Sequence, residues 1–191
     1  MNICVYGASS DLIDKKYIDE IEKLGEEIAE RGHSLVFGGG AQGVMGAAAR
    51  GVKRLNGYVI GVSPGFFNID GVLFKECDEL IYTETMRERK KLLEDNSDAF
   101  IIAPGGIGTF DEFYEIFTLK QLARHNKPII VYNANGFYDD MLKFLENAER
   151  EGFIRPKTLE LYKVMTDPKD TIDYIENYVP EEINIVETKG V

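Results

Sequence analysis

Three times in this chain a short apolar run ends in a glycine-bearing turn and then gives way to residues with helical spacing. Asn2–Tyr6 (NICVY) leads into Gly7-Ala8-Ser9-Ser10, and Ser34–Phe37 (SLVF) leads into Gly38-Gly39-Gly40. Residues 99–103 (AFIIA) lead into Pro104-Gly105-Gly106-Ile107-Gly108-Thr109. Strand, turn and helix repeated in this order point to a parallel sheet, because parallel neighbours are joined by crossovers and a helix is the usual crossover.

The rest of the chain continues the pattern. Ile18, Ile21, Leu24 and Ile28 recur at steps of three and four, which predicts an amphipathic helix over 16–31, closed by Gly32. An alanine-rich helix is expected over 44–55 and a strand over 58–62. Residues 63–79 are the least regular and read as a lid or rim. A short strand over 80–83 precedes a highly charged helix, 85–96, with Met86, Leu92 and Leu93 as its apolar contacts. After the strand at 99–103 come a helix over 109–124, a strand over 129–132, a helix over 138–151, a short strand near Val164 and a last helix over 168–178. The expected class is α/β: a single-domain, Rossmann-like parallel sheet with helices on both faces over residues 1–180. An acidic, loose tail is expected over 181–191.

A length of 191 residues suits one α/β domain. Lys and Arg number 22 against 33 Asp and Glu, a net charge of −11. That balance argues against nucleic acid or an anionic membrane as partner, since both call for a basic surface. A small phosphorylated ligand is compatible with it, because a local nest of N–H groups and one or two cations suffice. Cys4 and Cys77 have no metal-type spacing, and His33 and His125 are too scattered for a zinc site. The first ten residues read as a strand rather than a signal peptide, and no stretch approaches the roughly 20 apolar residues of a membrane span. A cytoplasmic enzyme or binding protein is the expectation.

In open parallel sheets ligands sit beyond the carboxyl ends of the strands, so all three turns are expected on one rim. Glycines let a ligand approach the backbone, and a helix start behind them supplies free N–H groups at the positive end of the dipole. Gly105, Gly106, Gly108 and Thr109 therefore suit a phosphate. A tight strand-to-helix turn without any ligand is an equal reading of one such turn alone. The spacing is neither that of a Walker A loop nor the Rossmann GxGxxG, so a mononucleotide fits better than a dinucleotide.

Thr109-Phe110-Asp111-Glu112 also fits a capping box, with Thr109 at the cap and Glu112 three residues on. On pattern alone that structural reading is the stronger one. Asp111, Glu112 and Glu115 nevertheless crowd two turns, and carboxylates beside a phosphate would repel it, so they are expected to address the sugar of a nucleotide. Phe113 and Phe117, four apart, read as core. Arg87-Glu88-Arg89-Lys90-Lys91 reads by default as a solvated helix face, although four cations in five residues reverse the local charge.

Taken together, these segments resemble the LONELY GUY family, the cytokinin-activating phosphoribohydrolases often labelled possible lysine decarboxylases. The signature PGGxGTxxE is matched in full by residues 104–112. Met86-Arg87-Glu88-Arg89-Lys90 resembles the M-x-x-R-K element, with Arg87 where histidine is common. Residues 37–46 (FGGGAQGVMG) resemble the YGGGxxGLMG loop. The likeness runs from the first strand to about Ile154, and 68–84 is not matched residue by residue.

The resemblance implies hydrolysis of the N-glycosidic bond of a nucleoside 5′-monophosphate, with an adenine or cytokinin-type base, to free base and ribose 5-phosphate. It implies Arg89 and Glu112 as catalytic residues. Lys90, Gly106, Gly108, Thr109 and Thr118 are implied as substrate contacts. Gly105, Ile107, Phe110, Asp111 and Glu115 from the same motif region, and Ser9, Gly39, Gly40 and Met45 from the other turns, complete the expected substrate-binding set. No metal or organic cofactor is implied, and a homodimer is. The alternative from another functional class is a non-catalytic nucleotide or molybdenum-cofactor carrier.

Overall fold

The computed structural model describes residues 1–189, within which seven strands form one sheet. They are β1 (Asn2–Tyr6), β2 (Ser34–Phe37), β3 (Val59–Pro64), β4 (Glu79–Thr83), β5 (Ala99–Ile102), β6 (Ile129–Tyr132) and β7 (Lys163–Met165). The order across the sheet is β4-β3-β2-β1-β5-β6-β7, and every neighbouring pair is parallel. The α/β class and the parallel sheet are as the sequence reads. Chain direction across the sheet reverses at β1, whose neighbours are β2 and β5. Val5 pairs with both Phe37 and Ile101, so the turns after these three strands leave the sheet at one level.

The helices are α1 (Lys15–Glu30), α2 (Gly43–Arg54), α3 (Met86–Asp95), α4 (Ile107–Gln121), α5 (Asp139–Arg150), α6 (Pro156–Leu159), α7 (Pro168–Glu176) and α8 (Ile185–Lys189). Alternation along the strands divides the core in two. Ile3, Val5, Leu35, Phe37 and Ile101 pack with α1, α2 and α7, whereas Cys4, Tyr6, Val36, Phe100 and Ile102 pack with α3, α4 and α5. With both faces covered, the strands are apolar runs rather than alternating ones. Helices α1 and α2 approach closely because each has a glycine at the crossing: a Cβ on Gly25 would lie 2.3 Å from the Ala48 carbonyl oxygen. Phe113 and Phe117 are core, stacked with ring centroids 5.3 Å apart. Among the described residues, no helix is long and apolar enough to cross a membrane.

Some boundaries differ for identifiable reasons. Helix α4 begins at Ile107, two residues before the expected start, because Gly106 takes the N-cap position. It ends at Gln121, just ahead of Ala123, which has a positive φ of 53°. Helix α6, not expected from the sequence, starts on Pro156, whose missing N–H costs nothing in a first turn. The tail expected to be loose carries α8, where Thr188 is buried. Thr188 donates to the Gln121 carbonyl, and its own carbonyl accepts from Gln121 Nε2 and from the Thr158 hydroxyl.

Candidate active site

Arg89 and Glu112 reach each other because each stands at the rim end of an apolar helix stripe. On α3, Leu93 faces the sheet, and Arg89, one turn earlier, shares that face. On α4, Ile116 is in the core and Glu112, again one turn earlier, sits above it. Both charged side chains are 8% exposed, and Arg89 Nη1 donates to Glu112 Oε1 at 2.9 Å. Arg89 Nε donates to the Val62 carbonyl of β3 at 3.1 Å. The guanidinium thus ties α3, α4 and β3 together at the carboxyl end of the sheet.

The start of α3 is itself fixed by a capping box. Thr85 Oγ1 accepts from the Glu88 N–H, and Glu88 Oε2 accepts from the Thr85 N–H, each at 3.2 Å. The capping box expected at Thr109 and Glu112 does not form. Thr109 lies inside α4 rather than at its cap, and the Glu112 carboxylate is turned to Arg89. The solvated-face reading of residues 87–91 holds for Arg87 and Lys91 and fails for Arg89, which is buried.

Burial pushes the Glu112 carboxyl up to about 7, against the opposing pull of the Arg89 charge and hydrogen bond. Beneath it on β1, burial holds the Tyr6 hydroxyl well above its usual range and raises the Cys4 thiol to about 12. Of these three, Glu112 is the group that changes charge near neutrality. Tyr6, Lys90, Glu94, Glu112, Glu115 and Ile116 line a narrow crevice beside it.

Lys90 bridges α3 and α4, with Nζ 3.0 Å from Asp111 and paired also with Glu115. Burial lowers its pKa, but the hydrogen bonds it donates to Glu115 and Asp111 outweigh that and raise it. Of the three carboxylates expected to address a sugar, Asp111 and Glu115 are therefore engaged by Lys90, which stays an ammonium, and Glu112 by Arg89.

The three glycine turns are not equivalent. At the start of α2, the Gly43 N–H donates to the Asp11 carboxylate at 2.7 Å and the Met45 N–H to the Ala8 carbonyl at 3.1 Å. Protein groups already fill that helix end. At the start of α4, Gly106 supplies no side-chain cap, and among the described residues no acceptor meets the N–H groups of Ile107, Gly108 or Thr109. Gly106, Ile107 and Gly108 are exposed. This end offers several free N–H groups and the positive end of a 15-residue helix. Gly105 is buried against Thr109, where a Cβ would come within 2.1 Å of Oγ1.

The remaining expected residues are more scattered in role. Gly39 and Gly40 are buried and bound to the rim segment, the Gly39 carbonyl accepting from the Phe74 N–H and Gly40 bridging to Leu73. Met45 lies beside Gly38 and Gly40. Ser9 is exposed in the turn after β1, and Thr118 is exposed on α4. Ile107 is 83% exposed, whereas Phe110 packs edge-on to Tyr138 as part of the core margin. Sequence reasoning missed the Val62 carbonyl, which no side-chain pattern marks, and Gly38, which stands in the glycine triplet beside Gly39 and Gly40. Among the described residues, no group of three or more His, Cys, Asp or Glu side chains is gathered as metal ligands would be.

The family described as possible lysine decarboxylase matches residues 45–175. A cytokinin riboside 5′-monophosphate phosphoribohydrolase of Mycobacterium tuberculosis is 36% identical, covering 89% of this chain and 90% of its own. The protein of that name designated LOG2 in Arabidopsis thaliana is 34% identical, covering 96% and 86%. Among solved structures, the molybdenum cofactor carrier protein of Chlamydomonas reinhardtii superposes with a TM-score of 0.70 at 24% identity, covering 92% of this chain and 95% of its own. At that identity the likeness is one of fold.

Proposed function

Because the chain belongs to the possible lysine decarboxylase family, and its relatives include enzymes named as cytokinin riboside 5′-monophosphate phosphoribohydrolases, we propose that it hydrolyses the N-glycosidic bond of a nucleoside 5′-monophosphate. The base is adenine or a cytokinin-type adenine, and the products are free base and ribose 5-phosphate. The observation that carries this reading is the buried Arg89–Glu112 pair beside the N–H groups that open α4, which no acceptor among the described residues meets.

The chemistry follows from the charges. Breaking the bond at C1′ builds oxocarbenium character on the ribose, which a carboxylate in a poorly solvated site stabilises strongly. Glu112 in its ionised form supplies that charge and accepts a proton from the water whose oxygen bonds to C1′. The electron pair of the broken bond leaves with the base nitrogen, which takes up a proton from solvent, and Glu112 returns its proton to solvent, so that one water is consumed overall. Arg89 stays cationic and holds the carboxylate in place. The phosphate sits against the Ile107, Gly108 and Thr109 N–H groups, where each charge-assisted hydrogen bond contributes roughly 1.5–3 kcal/mol. Lys90 contributes positive charge between Asp111 and Glu115.

Incubation with AMP, isopentenyladenosine monophosphate and adenosine, followed by chromatography for free base, tests the reading. Base is expected from a monophosphate and almost none from the nucleoside. Comparable kcat/KM on adenosine and AMP would remove the phosphate cradle. Tight nucleotide binding without turnover would favour a carrier, a reading that draws here on fold alone.

A further inference from the structure

Arg89 is held on two sides by hydrogen bonds, Nε to Val62 and Nη1 to Glu112, which leaves Nη2 to be accounted for. Nη2 lies against the α-carbon of Gly38, in the turn after β2. A Cβ built on Gly38 would stand 1.9 Å from Nη2 and 3.0 Å from Met45 Sδ. The guanidinium therefore occupies the volume that any side chain at position 38 would fill. Gly38 is not among the residues with positive φ, so alanine is compatible with its backbone and the conflict is with Arg89.

We propose that Gly38 is a positioning residue for the reaction: its missing side chain is the seat of the Arg89 guanidinium, and through it the turn after β2 sets where Arg89 meets Glu112. The assignment of that pair to hydrolysis rests on the reading above; the seating itself does not. Met45 closes the same seat with a flexible thioether, which can move aside. Arg89 has no such freedom without giving up one of its two hydrogen bonds. The nearest atom is the far end of a side chain rather than backbone, so a methyl at position 38 displaces the arginine while sparing the fold.

The test is Gly38→Ala, alone and combined with Arg89→Lys, whose ammonium lacks the Nη2 atom. Gly38→Ala is expected to fold and to lose about 10²-fold in kcat/KM, the size of loss that a displacement near 1 Å can cause. A readout independent of turnover is the Glu112 carboxyl titration followed by NMR. With Arg89 moved away, the midpoint is expected at least about one pH unit above that of the parent protein. In the Arg89→Lys background, adding Gly38→Ala is expected to change neither thermal stability nor the titration. An unchanged Glu112 midpoint in the single variant would overturn the proposal. So would equal destabilisation by Gly38→Ala in both backgrounds, because the clash would then lie with the backbone. Absence of turnover in the parent protein would defeat the hydrolytic reading and leave the titration arm intact.

Discussion

Glu112 is the residue at which a structural role and a chemical one separate most cleanly. Its carboxylate accepts from Arg89, and a glutamine amide oxygen can accept the same bond. Glu112→Gln is therefore expected to keep the fold and most of its thermal stability. Glutamine cannot carry the charge opposite an oxocarbenium-like ribose, so kcat is expected to fall at least about 10²-fold. Near-normal turnover in this variant would end the mechanism. The pH profile gives a second check. With the Glu112 carboxyl near 7, the active ionised form is gained as pH rises, and the acid limb of kcat/KM is expected to have its midpoint there. Stability runs the other way. Between the usual glutamic acid value of 4.5 and about 7, the folded chain holds a proton that the unfolded chain has released. Stability therefore falls as pH rises through that window, and Glu112→Gln should abolish this dependence in urea melts across the range.

At the scale of the element, α3 and α4 solve the same problem in different ways. Helix α3 closes its start with the Thr85–Glu88 box, whereas α4 leaves its start open behind Gly106. An exposed helix end gains from a reciprocal cap, and an end that is to receive an anion must keep its N–H groups free. Thr85→Ala removes one half of the box. It is expected to cost about 1 kcal/mol in a denaturant melt, whereas Thr85→Gly, by the usual ranking of caps, costs only a few tenths. Equal losses from the two would mean that Thr85 acts through something other than capping. The α2 end, already filled by Asp11 and Ala8, illustrates why three similar glycine turns need not make three anion sites.

For the whole molecule, the expected homodimer is a proposal carried by the family resemblance. The apolar content of α4 is largely used within the chain, since Phe113, Ile116 and Phe117 pack on the sheet. Ile107 and Tyr114 remain outward on the same helix. Light scattering at micromolar protein is expected to return twice the 21.5 kDa of the chain. A mass of one chain would count against the dimer and leave the single-chain site geometry untouched.

The strands and their turns were legible because apolar runs and glycines are local signals, and a fully covered parallel sheet leaves them uninterrupted. The limits of β2 and β6 agree with the sequence reading to the residue. Arg89 and Glu112 were legible through their motifs, though not through their environments. The pattern of Thr followed three residues later by Glu occurs at Thr85–Glu88 and at Thr109–Glu112, and local sequence treats the two alike. They differ because Gly106 caps α4, which places Thr109 inside the helix, and because α3 brings Arg89 within hydrogen-bond reach of Glu112. The partner of a buried charge is chosen by whichever group the packed helices bring near it, across 23 residues of chain in this case. Sequence by itself determined the order of strands and helices and the residue types available at the rim. Tertiary packing decided which carboxylate is desolvated, which helix end stays open, and that a glycine on β2's turn makes room for an arginine on α3.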